Sequence, residues 1–190
     1  MPDTSTNTKT NVSVGKPKVA GAIYRAPEGT AVPTDATTAL AEAFVPLGYV
    51  SEDGLTNTRS FDADVIREWG GDPVYEAETN QEDTFKFTLI ESLNPNVQKA
   101  VHNDDNVSGA LATGLTVEVN GDQHKPAAWV IEMVLRNGVL KRICIPDASI
   151  TEVGEIVYRR SEAIGYPITL RAHADASGNY HYEYFKTPAT

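Results

Sequence analysis

Residues Ala127 to Ile145 read A-A-W-V-I-E-M-V-L-R-N-G-V-L-K-R-I-C-I, and their pattern decides the fold. Side chains alternate between the two faces of a strand, so Trp129, Ile131, Met133 and Leu135 share one face and Val130, Glu132 and Val134 the other. Both faces are largely apolar, which marks a central strand covered on both sides. Asn137-Gly138 follows directly. That dipeptide accepts the positive φ angles of a type I′ turn, so the chain folds back into a second strand over Val139 to Ile145. Pro146-Asp147 is expected to end it.

The same alternation spreads outward. Upstream, Phe85, Phe87 and Leu89 alternate with Thr84, Lys86 and Thr88, and Leu115, Val117 and Val119 with Thr116 and Glu118. Both runs predict half-buried strands. Downstream, Ile150 to Arg159 and Ile164 to Ala174 are strand candidates, and Ser177-Gly178 predicts a hairpin turn into Tyr180 to Phe185. Val19 to Tyr24 and Phe44 to Val50 complete the set, separated by a Pro-, Thr- and Ala-rich stretch from Pro27 to Ala43 with room for one helical turn. A single helix is predicted over residues 95–102: Asn94 caps it, Pro95 fits its first position, and Val97, Ala100 and Val101 share a face. Many strands with one helix give a mainly β fold, a β-sandwich or barrel of two packed antiparallel sheets with one flanking α-helix.

Residues 1–16 are polar and lack both the basic start and the apolar run of a secretory signal, so they predict a flexible N-terminal arm. Residues 17–190 form one domain, a size that buries a single core unaided. The 41% hydrophobic and 22% charged content argues for a folded chain. No run of about 18 apolar residues occurs, so no transmembrane helix and no membrane partner are expected.

The net charge of -10 is concentrated: Ser51 to Asp83 holds ten acids against Arg59 and Arg67. This opposes wrapping of nucleic acid, which requires clustered cations. A solvated loop and a surface that DNA slides past both fit. Residues 56–81 are expected to be a long acidic loop, yet Ile66 and Trp69 are out of place in a mere spacer. Aromatic anchors are enriched at interfaces, so Val65, Ile66, Trp69 and Tyr75 are the inter-subunit candidates. The competing reading folds the loop onto its own barrel.

Catalytic chemistry finds little support. There is no G-x-S-x-G elbow, and the single cysteine, Cys144, sits mid-strand between Ile143 and Ile145. His102, His124, His173 and His181 are scattered; only His173 and His181 could meet, across the predicted C-terminal hairpin, and two ligands fall short of a metal site. The acids lack a calcium-loop pattern, and phosphate-binding or dinucleotide fingerprints are absent. No enzyme activity, metal or cofactor is expected. A second class of reading, a monomeric β-sandwich adhesin or carbohydrate-binding module, rests on Tyr180, Tyr182 and Tyr184, which alternate spacing places on one face. A cupin-type enzyme would need a converging histidine cluster.

From Thr38 to Thr56 the chain reads T-A-L-A-E-A-F-V-P-L-G-Y-V-S-E-D-G-L-T, and Trp69 to Gly71 reads W-G-G. These strings, with the order of arm, strand, acidic segment, F-x-F-x-L strand, helix and β-rich remainder, resemble siphophage major tail proteins, the tail tube subunits, particularly of phages infecting Gram-positive bacteria. The resemblance covers the chain from about residue 15. It implies a tube fold shared with type VI secretion tube proteins, with six copies joined edge to edge into a ring and rings stacked into a tube. The implied partners are other copies of the chain, tape-measure protein, and tail-tip and tail-terminator proteins. Genomic DNA would only pass through the lumen, without sequence-specific binding. The implied setting is the virion tail, assembled in the host cytoplasm. Glu76, Glu78, Glu82 and Asp83 are then the candidates for a negative lumen. Many relatives append an immunoglobulin-like domain; none is expected here, since Thr190 follows the last predicted strand so closely.

Overall fold

The computed structural model describes residues 9–18 and 22–188. Its strands are β1 (Lys16–Pro17), β2 (Ile23–Pro27), β3 (Val45–Pro46), β4 (Val50–Arg67), β5 (Pro73–Leu89), β6 (Val107–Ala110), β7 (Gly114–Val117), β8 (Ala127–Val134), β9 (Leu140–Val153), β10 (Tyr166–Ala172) and β11 (Tyr182–Lys186), with one helix, α1 (Pro95–His102), between β5 and β6. Met1–Thr8, the first half of the expected arm, and Val19–Gly21, the start of an expected strand, lie outside the described residues.

Strands β8 and β9 are the hairpin the alternation predicts, and Asn137 and Gly138 both have positive φ, 61° and 75°. The Val139 amide closes the turn on the Arg136 carbonyl at 3.4 Å. Around this pair the large sheet runs β3-β2-β8-β9-β10-β5-β4, with β1 also on β8 and β11 also on β9; β6 and β7 form a separate two-stranded sheet beside α1. The architecture is thus mainly β, with two sheets and the one predicted α-helix. Among the described residues the path does not close into a barrel. It curls instead: Ile23 near one end, Phe85 and Phe87 near the other, and Val97, Ala100 and Val101 of α1 all pack into one core with Trp129 and Ile131.

The opposite face of β8 is covered too. Ala128 and Val130 pack with Ala26, Phe44 and Cys144, under a lid formed by the segment that connects β2 to β3. The Arg142 and Glu132 side chains pair in this layer at 2% and 6% exposure. Arg142 also donates from Nη1 to the carbonyls of Asp35 and Thr38, both at 2.8 Å, and so pins the lid. Lys18 reaches the other oxygen of Glu132 at 2.9 Å. The lid carries its own clasp, in which hydrogen bonds from the Thr38 hydroxyl and the Thr38 and Thr37 amides hold the Asp35 carboxyl well below the ordinary carboxylate range.

Cys144 has no exposed surface, and burial pushes its thiol up to about 12. Because the thiolate is the reactive form, a thiol reagent at pH 8 is expected to leave the native protein unlabelled over a time in which the urea-unfolded chain reacts fully. Rapid labelling of native protein, followed by absorbance, would contradict this burial.

Four expectations are corrected. Pro146-Asp147 does not end β9, because the register against β8 shifts there and proline sits where no ladder N–H is required. Phe44 to Val50 is no continuous strand: the two-residue β3 is followed by Gly48 at φ 74° before β4 begins. The C-terminal hairpin is absent, since β10 and β11 do not pair with each other but lie end to end along β9. Residues 56–81 are not a loop; β4 and β5 pair from Leu55 to Pro73 as one long two-stranded ribbon.

Candidate assembly interface

The ribbon forms because its residues alternate: Phe61, Ala63 and Val65 interleave with Asp62 and Asp64, which is strand patterning hidden under acidic composition. The reversal spans Glu68 to Asp72. The Glu68 amide bonds the Asp72 carbonyl at 2.9 Å, the Arg67 guanidinium bonds the Gly71 carbonyl at 3.0 Å, and Gly71 takes φ 96°.

The root of the ribbon is clamped by residues from near β10 and β11. Asp83, 1% exposed, accepts from Asn57 Nδ2 at 2.6 Å and meets His181 Nδ1. Phe85 packs edge-on against the same imidazole at 5.2 Å. Tyr180 donates to the Gln81 carbonyl at 3.3 Å, and Arg171 pairs with Glu82 at 2.9 Å. β10 pairs with β5 only over Thr84 to Leu89. Beyond Asp83 the ribbon therefore pairs only with itself and projects on the order of 25 Å at about 3.3 Å per residue.

Two faces of this arm differ. Partners across the ladder share a face, which puts Val65 with Glu76 and Ala63 with Glu78 on one side, and Ile66 with Tyr75, Asp64 with Ala77 and Ser60 with Glu82 on the other. Plain alternation would have placed Glu76, Glu78 and Glu82 together. An extra residue in β5 between Thr79 and Glu82 reverses the phase, with Asn80 at φ 48°. Phe61, Ile66, Val74 and Tyr75 are each about 60% exposed, and Trp69 at the tip is fully exposed.

A model of the phage tail tube protein family matches residues 10–187. The chain belongs to that family. The tail tube family is structural and not enzymatic, its place is the virion tail, and its members build a tube. Two solved structures align along most of the tail tube chain. One is the tube terminating cap of the anti-feeding prophage, with 12% identity and a TM-score of 0.46 over 99% of this chain and 100% of that one. The other comes from the extended sheath-tube complex of PVC, an extracellular contractile injection system, with 10% identity and a TM-score of 0.39 over 88% and 90%. No curated protein matches.

In this tail tube protein Val65, Ile66, Trp69 and Tyr75 all lie exposed on the outer ribbon. Phe61 and Val74 are exposed beside them; Phe61 was readable from the alternation of Phe61, Ala63 and Val65 with Asp62 and Asp64, whereas Val74, between Pro73 and Tyr75, carries no such signal. Of the acidic candidates, Glu76 and Glu78 share an exposed face, Glu82 is on the other face with Arg171, and Asp83 is no surface group at all because Asn57 and His181 bury it in the root. His173 meets Ser149 at 3.0 Å, well apart in role from His181, so the conceivable metal pair does not form. His102 and His124 line a cleft near α1, where burial holds both imidazoles below their ordinary range. Among the described residues no group of three or more His, Cys, Asp or Glu could hold a metal, and no helix is long and apolar enough to cross a membrane. The tyrosine strip also divides: Tyr182 and Tyr184 stack in the layer under the lid, whereas Tyr180 packs on the main core.

Proposed function

We propose that six copies close into a ring and that rings stack into the tail tube through which genomic DNA leaves the capsid. The observation that carries this reading is the ribbon, which is fixed at its root, paired only with itself beyond Asp83, and tipped by a fully exposed Trp69. A two-stranded hairpin alone is marginally stable in water, and open edges with apolar tips invite pairing. Identical neighbours would cover both in a closed ring with an open stacking contact. Tape-measure, tail-tip and tail-terminator proteins are the further partners in this reading, and assembly takes place in the host cytoplasm.

Negative-stain electron microscopy of the concentrated protein tests it. Hollow tubes with sixfold end views are expected. A chain that stays monomeric both alone and with purified tail-tip complexes would overturn the proposal.

Glu76 and Glu78 supply a negative lumen wall that keeps passing DNA from sticking, since like charge opposes phosphate binding. Glu76→Lys with Glu78→Lys is expected to leave tube length unchanged on micrographs but to slow DNA ejection from virions by roughly tenfold or more. Ejection at the native rate would remove these two acids from the lumen.

A further inference from the structure

We infer that the basic corner formed by Lys9, Lys16 and Arg136 receives the acidic ribbon of a second copy. This rests on the tube reading and adds the surface on which the ribbon lands.

Other cations, among them Lys86, Lys99 and Arg160, also lack a carboxylate partner, but in a chain of net charge -10 a group of such cations held together is informative. Lys18, Lys125 and Lys141 are each engaged by a carboxylate. Lys9, Lys16 and Arg136 form no ion pair among the described residues. Local bonding brings them together. The Arg136 guanidinium bonds the Lys9 carbonyl at 3.0 Å, and the Arg136 amide bonds Ser13 Oγ at 2.8 Å, which folds the arm back over the β8–β9 turn. Pairing of β1 with β8 then sets Lys16 opposite Val134. Between these cations Val12 and Val14 stand 69% exposed, two apolar side chains at strand spacing.

The outer ribbon is the complement in both respects. Asp62, Asp64, Glu68 and Asp72 outnumber Arg59 and Arg67 there, and none of the four is in an ion pair among the described residues. Its apolar side chains lie exposed beside them, and full exposure of Trp69 means that the tip is not docked on its own chain. Opposite charge steers the encounter and sets register, while the apolar side chains hold it. With Glu76 and Glu78 on one ribbon face and Asp64 on the other, lumen wall and docking contact use different sides.

The test is a charge swap read by tube elongation from preformed seeds. Lys9→Glu with Lys16→Glu, and separately Asp64→Lys with Glu68→Lys, are each expected to slow elongation roughly tenfold. A chain carrying all four substitutions should return to within about threefold of native, because only a direct contact is repaired by exchanging its signs. All sites are exposed, and circular dichroism checks that the fold is kept. As a second readout, Lys16→Cys with Glu68→Cys is expected to give a ladder of disulfide-linked subunits in oxidised tubes, with buried Cys144 silent. Native growth of both single-sided swaps, or a four-site chain no faster than the slower of them, overturns the inference while the tube reading stands. Absence of tubes from the native chain, seeded or not, removes the tube reading and this inference with it.

Discussion

Replacing Trp69 with alanine is expected to stop tube growth while leaving the subunit folded. The side chain is fully exposed and touches no core residue, so its loss should change subunit stability by no more than about 0.5 kcal/mol, as for surface substitutions generally. At an interface a tryptophan anchor typically contributes about 2 kcal/mol or more, a factor of roughly 30 in each contact. That weakening is repeated at every ring, so growth should fall below detection at concentrations where native protein polymerises. Thermal melting and electron microscopy of the same sample separate the two effects. Normal tubes from the mutant would place the stacking contact elsewhere, and a large drop in melting temperature would mean that the ribbon tip packs on its own subunit.

The largest loss of stability is expected from Arg142→Ala. Arg142 is 2% exposed, is paired with Glu132, and holds two carbonyls of the lid. Truncation leaves Glu132 charged in an apolar layer with only the half-exposed Lys18 as partner. Removing one member of a buried pair costs about 3–5 kcal/mol, which for a chain of this size lowers the melting temperature by roughly 6–20 °C. Replacing both members together, Arg142→Met with Glu132→Leu, should recover much of that loss, because no buried charge is then stranded. A single mutant as stable as native protein would show that water reaches this layer. Lid opening should also expose Cys144, so thiol labelling gives an independent check.

The parts of the fold that were legible in the sequence are those where burial and backbone period agree. β8 reads as covered on both faces because Val130 follows Trp129 and Glu132 is the one interruption, and that interruption is answered by Arg142 directly across the hairpin. α1 reads from Asn94 and Pro95, and the Asn94 side chain does accept the Asn96 amide at 2.9 Å. The ribbon was less legible. Its strands carry no buried residue outside the root, so the apolar run that normally announces a strand is replaced by acids, and only the weak alternation around Phe61 remains. The phase reversal at Asn80 has no local signature, since it is fixed by how many residues each strand contributes between paired positions. The split of β10 and β11 along β9 was similarly hidden: a Ser-Gly turn predicts reversal, but here the chain makes an excursion and resumes its direction, which depends on β9 being long enough for both. Asp83 shows the same limit at one residue. It follows Glu82 at the end of an acid-rich stretch, whereas its environment is set by His181, 98 residues away.

That separation also has a temporal side. The strands of the ribbon leave the ribosome well before Tyr180 and His181, which lie 99 and 98 residues downstream of the groups they grip. At about 5–20 residues per second the interval is roughly 5–20 s for each nascent chain. Through that interval the ribbon lacks the two contacts that fix its root. Translation thus acts as a timer, and a crowded polysome carries many sticky arms, none yet held by those contacts.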